Sequence, residues 1–269
     1  MTTRAEPGVL RRGLFLCLAG LGRAFEGGAR LFSCAATGLL TLEDLRRAIR
    51  TKWRDVGAQE SPEYIASGLM KWEDDFYSRF LEPGDRVFVV GCGTGRDLLV
   101  LLQRGHPADG IDLVPECTAI ARRLLAKRGL GASVLTGAIE TTEIGALYDA
   151  IILSWFCYGY IPESATRIAV LRKLRAALRP GGRILLSYIP LAPPRSSLPM
   201  RLAALVARVA RSGWLPEAGD EVVVLPGPPY ADHYAHRFTR EGLEAETRAA
   251  GLTVAFHEVG EEGRAVLVP

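Results

Sequence analysis

The sequence predicts an α/β fold with a doubly wound, mostly parallel sheet, and three observations support this prediction. First, a short apolar segment at residues 88–90 ends in glycines and precedes a leucine-rich segment at 97–103, which indicates a strand, a tight turn and a helix. Second, the alternation continues along the chain, with strands expected at 108–112, 132–135, 150–153 and 184–186. Third, the residues between these strands include segments of helical period at 119–127 and 164–178. Strands separated by helices favour parallel pairing.

The chain before this region is expected to be helical. Apolar residues recur with helical spacing after Thr41, and Asp44 completes a capping-box-like helix start. This character continues to about Phe80. The sequence therefore predicts an N-terminal helical extension at 1–80, able to act as a lid, and a main domain at 81–269.

The C-terminal part is expected to close the sheet with a hairpin. Thr239 is placed to cap a helix, and the strands predicted at 253–259 and 264–268 are joined by a glycine-bearing turn. An insertion is expected at about 190–230, and within it residues 199–214 have the pattern of a basic amphipathic helix. Such a helix suits a lid over a ligand pocket, contact with a membrane surface, or packing alone.

Composition limits the classes of partner. The net charge of +3, with 23% charged residues, is too small to require a polyanion, so no nucleic-acid partner is expected. The five cysteines lack metal-ligand spacing, so no metal site is expected. The N-terminal apolar run at 13–21 is too short for a membrane span of roughly twenty residues. A cytoplasmic protein is expected, with peripheral membrane contact as an alternative.

Two features indicate a site for an adenosyl nucleotide. The glycines Gly91, Gly93 and Gly95 allow a sharp turn and let a ligand approach main-chain amides at the start of a helix. Asp112 ends the next predicted strand about twenty residues later, where a carboxylate accepts hydrogen bonds from both ribose hydroxyls. The glycine pattern alone is weak, but together with the downstream acid it indicates an adenosyl nucleotide.

These residues resemble the class I S-adenosylmethionine-dependent methyltransferases. Residues 87–97 are similar to the first motif of that family, Asp112 to its ribose-binding acid, and 179–183 to its late turn. The resemblance extends over roughly 77–190, and the closing hairpin is similar to the reversed last strand of the family. It implies a Rossmann-like sheet of seven strands with an antiparallel last strand, methyltransferase activity, and S-adenosyl-L-methionine as cofactor.

The resemblance also implies roles for individual residues. Gly91 and Gly93 would contact the methionine part of the cofactor, Asp112 the ribose and residues 138–140 the adenine, while Ser154 and Trp155 would border the reacting methyl group. The full set expected to bind the cofactor is Val90, Gly91, Cys92, Gly93, Gly95, Asp97, Asp112, Leu113, Ala138, Ile139, Glu140, Ser154, Trp155 and Tyr77.

Two positions depart from the pattern of the family. Many relatives have an acid where this chain has Ala138, and that carboxylate binds the adenine amino group. The main-chain amide of Ile139 or the side chain of Glu140 is available to replace it. The other departure is Val90, where many relatives have an acid just before the first glycine.

Aromatic and histidine residues are the candidates for the acceptor side. An aromatic group follows the fourth predicted strand, at the strand end where open α/β sheets bind ligands. Its members, expected to form a substrate wall, are Trp155, Phe156, Tyr158 and Tyr160. His233 and His236 are the candidates for a general base, needed most if the acceptor is a hydroxyl group.

The sequence thus predicts a methyltransferase that acts on oxygen or nitrogen of a small, partly apolar molecule. Methyl transfer is an in-line displacement, so the protein mainly aligns the nucleophile and excludes water. Two alternatives share the same glycine motif and acid. One is an NAD(P)-dependent oxidoreductase, for which the chain lacks a Tyr-x-x-x-Lys pair. The other is a nucleotide-binding scaffold without turnover, which the substitution at Ala138 keeps open.

Overall fold

The structure is a computed structural model that describes residues 9–60, 62–191 and 198–269. The first eight residues of the expected N-terminal extension and residues 192–197 of the expected insertion lie outside this part. The helices are α1 (Val9–Thr37), α2 (Leu42–Gln59), α3 (Pro62–Ala66), α4 (Lys71–Phe80), α5 (Arg96–Gln103), α6 (Pro115–Lys127), α7 (Ser164–Ala176), α8 (Leu198–Ala210) and α9 (Arg240–Ala249). The strands are β1 (Val87–Val90), β2 (Ala108–Asp112), β3 (Val134–Thr136), β4 (Tyr148–Leu153), β5 (Leu178–Tyr188), β6 (Asp220–Val224), β7 (Ala231–His236), β8 (Thr253–Val259) and β9 (Gly263–Val268).

Seven strands form the main sheet, in the order β3-β2-β1-β4-β5-β9-β8. The first five of these pair in parallel, and Val87 of β1 lies opposite Ala108 on one side and Ala150 on the other. The last strand in the sequence, β9, inserts between β5 and β8 and is antiparallel to both. The predicted Rossmann-like sheet with an antiparallel last strand is confirmed.

Strand alternation divides the apolar core into two layers. Side chains on successive residues of a strand point to opposite faces. Phe88 and Val90 pack on one face, with residues of α7 and α9 such as Leu171 and Leu243. Val87 and Val89 pack on the other face, where they join residues of α4, α5 and α6 such as Leu98. Because both faces are covered, β1 is buried along its whole length.

Two parts of the chain differ from the prediction. The fifth strand was expected to start after a turn at 180–182, but β5 already begins at Leu178. In the pairing of β5 with β4, Tyr148 lies opposite Leu178, but Ala150, only two residues later, lies opposite Arg183. The residues expected to form a turn are therefore extra residues within β5, as in a β-bulge. The expected insertion contains a second sheet of β6 and β7, which the sequence pattern did not reveal.

The described residues form two compact units. The smaller one consists of the described parts of Met1–Thr41 and Ser196–Ala218, and the larger one of those of Leu42–Arg195 and Gly219–Pro269. Residues 42–80 therefore group with the sheet, whereas the sequence-based division placed them with the N-terminal extension.

Helices α1 and α8 form the core of the smaller unit. A side chain at Gly38 would place its first carbon 2.3 Å from the Ala203 carbonyl oxygen, so the close approach of the two segments requires glycine there. The indole nitrogen of Trp214 donates a hydrogen bond to the Leu40 carbonyl oxygen over 2.7 Å. None of the described helices combines the length and apolar character needed to cross a membrane.

Candidate active site

The turn between β1 and α5 exposes main chain to a cavity. Its three glycines have positive φ angles of 75° at Gly91, 50° at Gly93 and 95° at Gly95, which favours glycine. A first side-chain carbon would lie 3.0 Å from Cys157 at Gly91 and 3.0 Å from Ala121 at Gly95, whereas at Gly93 it would meet nothing within 4 Å. The outer glycines thus allow close packing, and the middle one keeps space open for a ligand.

Asp112 lies beside this turn. One oxygen of its carboxylate accepts a hydrogen bond from the Gly93 amide over 2.9 Å, and the other accepts one from the Val114 amide over 2.8 Å. Burial raises the pKa of the Asp112 carboxyl. The carboxylate and the glycine turn are therefore adjacent, as the nucleotide-site prediction requires.

Glu60 is a second acid beside the same turn, and it is not among the site residues predicted from the sequence. Its carboxylate accepts a hydrogen bond from the Thr94 hydroxyl, and it also lines the cavity next to Asp112. Two carboxylates on the wall of one cavity fit a ligand with several hydroxyl donors, such as a nucleoside.

The start of α5 is held by a buried network of charges. Arg96 bonds to Glu73 over 2.5 Å and to Asp97 over 3.1 Å, and Asp97 accepts hydrogen bonds from the Tyr77 and Ser154 hydroxyls over 3.1 and 2.7 Å. Burial, together with the nearby Asp97 charge, raises the pKa of Glu73 to about 7. Tyr77 is only 3% exposed, so it packs beneath the site and does not cover the cofactor as predicted.

The cavity has a volume of about 400 Å³, within the ~300–1,000 Å³ range of ligand pockets. Most residues predicted to bind the cofactor or acceptor line it, and the main additions are from α2 and the residues after it. The predicted residues on its wall are Val90, Gly91, Cys92, Gly93, Asp97, Asp112, Leu113, Ala138, Ile139, Glu140, Ser154, Trp155 and Tyr160. The predicted residues that are not on its wall are Tyr77, Gly95, Phe156, Tyr158, His233 and His236.

The loop after β3 is held by Lys173, which is not among the site residues predicted from the sequence. The Lys173 ammonium group, on α7, donates hydrogen bonds to the carbonyl oxygens of Ile139, Glu140 and Thr142 over 2.9, 2.8 and 3.2 Å. These bonds hold the loop that contains Ala138 against the cavity. This chain has alanine at position 138, and the main chain of the loop around it is held by Lys173.

The aromatic segment after β4 is divided between cavity and core. Trp155 and Tyr160 line the cavity, and Trp155 has a positive φ of 47°. Phe156 instead stacks on Trp72, with 5.7 Å between ring centroids. Tyr158 is fully buried and donates a hydrogen bond to Glu246 over 2.6 Å, so its predicted place in the substrate wall is not what the structure shows.

Both candidate histidines lie on β7 and outside the cavity wall. His236 is 7% exposed, and its Nδ1 atom pairs with Asp220 over 2.8 Å, which gives it a structural partner. The ring of His233 contacts Tyr160 edge-on, with 5.9 Å between centroids. Burial lowers the pKa of His233, which favours its neutral form. Neither residue reaches the cavity as a predicted base should.

One face of α2 completes the wall, at positions with helical spacing. The amphipathic pattern predicts this helix but does not show that one of its faces lines a cavity. The residues from this helix and the segment after it are Arg46, Ile49, Arg50, Trp53, Val56, Gly57, Glu60 and Tyr64.

Comparison with known proteins is consistent with this geometry. The family described as "Methyltransferase domain" matches residues 87–182. A dTDP-3-amino-3,6-dideoxy-alpha-D-glucopyranose N,N-dimethyltransferase of Streptomyces fradiae is 30% identical over 191 residues, which cover 65% of this chain and 72% of that protein. A ubiquinone biosynthesis O-methyltransferase of Xanthomonas axonopodis pv. citri is 26% identical over 169 residues, covering 62% and 68%.

Solved structures share the fold at lower identity. The CcbJ methyltransferase from Streptomyces caelestis superposes with a TM-score of 0.56 at 15% identity, covering 80% of this chain and 94% of that one. DesVI from Streptomyces venezuelae superposes with a TM-score of 0.54 at 19% identity, covering 83% and 98%. At such identities the similarity shows the fold alone.

Proposed function

Because this chain belongs to the class I S-adenosylmethionine-dependent methyltransferases, we propose that it methylates an oxygen or nitrogen atom of a small, partly apolar molecule. The observation that carries the proposal is the 2.9 Å contact of Asp112 with the Gly93 amide at the edge of one cavity. The two relatives named above, an O-methyltransferase and an N,N-dimethyltransferase of a sugar nucleotide, support oxygen and nitrogen as the alternatives for the acceptor atom.

The residues present fit S-adenosylmethionine, whose bound sulfonium supplies an electrophilic methyl group. We assign the open space at Gly93 to the cofactor, because a side chain there would occupy it. Asp112 would accept hydrogen bonds from the ribose hydroxyls, and the loop of Ile139 and Glu140, which lines the same cavity, would border the adenine. Ser154 and Trp155 would border the methyl group, and Ser154 is held in place by its hydrogen bond to Asp97.

We propose that alignment and exclusion of water account for most of the rate enhancement. The acceptor lies in a cavity whose walls include Ile49, Trp53 and Tyr160, and apolar walls exclude water from the reacting atoms. His233 and His236 are not carried forward as bases, because neither lines this cavity. The oxidoreductase alternative is set aside because of the family to which the chain belongs.

The proposed function is tested by supplying S-adenosylmethionine with an isotope-labelled methyl group and a panel of phenols, alcohols and amines. The expected result is a labelled product and an equal amount of S-adenosylhomocysteine. Binding of S-adenosylhomocysteine without transfer to any acceptor would instead indicate the scaffold alternative and would refute the proposed reaction.

We also propose that the smaller unit binds the surface of an anionic membrane on the cytoplasmic side. Four apolar side chains with spacings of three and seven residues form a stripe on α1: Phe15, Leu18, Phe25 and Phe32. The three phenylalanines are each at least 71% exposed. The sequence of α1 contains four arginines and one acid, and that of α8 contains two arginines and no acid. Exposed apolar side chains on a cationic helix favour an anionic bilayer surface.

Sedimentation with vesicles tests this contact. We expect the protein to bind vesicles of phosphatidylcholine with phosphatidylglycerol and to bind pure phosphatidylcholine much less. The substitution Phe32→Glu should reduce binding severalfold, because it places a charge in the apolar stripe. Leu147→Glu, at an exposed leucine of the larger unit, is the matched control and should leave binding unchanged. If the wild-type protein binds neither kind of vesicle and instead dimerises through this stripe, the membrane proposal is wrong.

A further inference from the structure

Charged residues lie at both ends of the cavity wall that α2 and the segment after it form. Glu60, just beyond the C-terminal end of α2, lies near Asp112, at the end assigned to the nucleoside. Arg46 lies fourteen residues earlier, which corresponds to about 21 Å of helical rise. Two carboxylates therefore lie close together at one end of the α2 wall, and Arg46 lies toward the other end.

Arg46 differs from its neighbouring arginines in its surroundings. Arg50 forms an ion pair with Glu43 over 2.8 Å, and Arg47 is exposed and away from the cavity. Arg46 is partly buried on the cavity wall, and it forms no hydrogen bond or ion pair with any residue that the structure describes. A guanidinium group partly removed from water, without a protein partner, attracts an anion more strongly than an exposed one does.

Apolar and aromatic groups adjoin this cation on the same wall. Ile49 is buried, and Trp53 meets Tyr160 edge-on with 5.1 Å between ring centroids. These surfaces suit a flat or apolar ligand body, while the guanidinium fork suits an oxoanion with two acceptor oxygens.

We propose that the acceptor carries an oxoanion, such as a carboxylate or a phosphate, that Arg46 binds while its apolar body packs on Ile49, Trp53 and Tyr160. The inference rests on the proposed methyltransferase function and names the chemical class of its acceptor. Arg46 thereby sets the specificity between charged and uncharged forms of the same molecule.

The test uses two probes of the same shape, 2-naphthoate and its uncharged amide, titrated into protein saturated with S-adenosylhomocysteine. The wild-type protein is expected to bind the carboxylate more tightly than the amide. Arg46→Gln should weaken binding of the carboxylate about 10-fold or more, as for a lost charge-assisted hydrogen bond, and leave binding of the amide within about twofold. Arg47→Gln, on the exposed side of the same helix, is the matched control and should change neither.

Other outcomes separate this inference from the function on which it rests. Equal affinities for the carboxylate in Arg46→Gln and wild type would overturn the acceptor assignment. A loss of S-adenosylhomocysteine affinity in Arg46→Gln, with affinity for 5′-methylthioadenosine retained, would also overturn it, because Arg46 would then bind the cofactor carboxylate. Failure of the wild-type protein to bind S-adenosylhomocysteine would contradict the proposed function itself.

Discussion

The substitution Arg167→Met is expected to lower the free energy of unfolding by about 3–5 kcal/mol, because it leaves a buried carboxylate without its cation. Arg167 is 1% exposed, and its guanidinium bonds to Glu246 through Nη2 over 2.7 Å and to the Ile161 carbonyl oxygen over 3.2 Å. The same guanidinium lies over the Phe238 ring, 5.3 Å from its centroid. This residue thus joins α7, α9 and the segment after β4. Denaturation by urea measures the change.

Two further variants give this prediction its controls. The double variant Arg167→Met/Glu246→Leu should recover a large part of the loss, because it removes both charges and leaves apolar groups of similar size. Arg175→Met, at an exposed arginine on the same helix, should change the free energy of unfolding by no more than about 0.5 kcal/mol. A single Arg167→Met variant as stable as the wild type would show that the pair contributes little to the fold.

The substitution Asp112→Ala is expected to weaken binding of S-adenosylhomocysteine by about 1–3 kcal/mol, or roughly 5- to 150-fold. The carboxylate is the acceptor that we assign to the ribose hydroxyls, and it also accepts the Gly93 and Val114 amides over 2.9 and 2.8 Å. Its removal therefore costs ligand hydrogen bonds and loosens the turn that borders the ligand. Calorimetric titration measures the affinity.

Asp112→Asn and Glu116→Ala separate the possible causes. The asparagine variant keeps the shape and one acceptor oxygen but loses the charge, so its affinity should lie between those of the wild type and Asp112→Ala. Glu116 is an exposed acid in the first turn of α6, and its removal changes the net charge equally without touching the cavity, so Glu116→Ala should bind normally. Unchanged affinity in Asp112→Ala would refute its ribose role.

The sheet and the nucleotide turn could be predicted because local patterns determine them. The buried strand Val87–Val90 is a continuous apolar run, and the glycines after it are required by positive φ angles, so both leave a direct trace in the sequence. The cap at Thr239 is equally local, since its side chain accepts a hydrogen bond from Gly242, three residues later. The antiparallel last strand came instead from the resemblance to a family.

The site residues that were wrongly predicted from the sequence are those whose roles depend on partners far away in the chain. Tyr158 follows a strand, as a residue of a substrate wall should, but Glu246 lies 88 positions later and holds the tyrosine hydroxyl in the core. His236 has the polar sequence context of a loop, but it pairs with Asp220 across the β6/β7 hairpin. The face that α2 directs into the cavity was hidden for the same reason, because an amphipathic pattern does not show what its faces contact.

The most direct test of the central claim is a calorimetric titration of the wild-type protein with S-adenosylhomocysteine and, separately, with NAD. We predict that S-adenosylhomocysteine binds with one molecule per chain and that NAD gives no binding heat. Binding of NAD, or the absence of any binding of S-adenosylhomocysteine, would contradict the assignment of the glycine turn and Asp112 to an adenosylmethionine site.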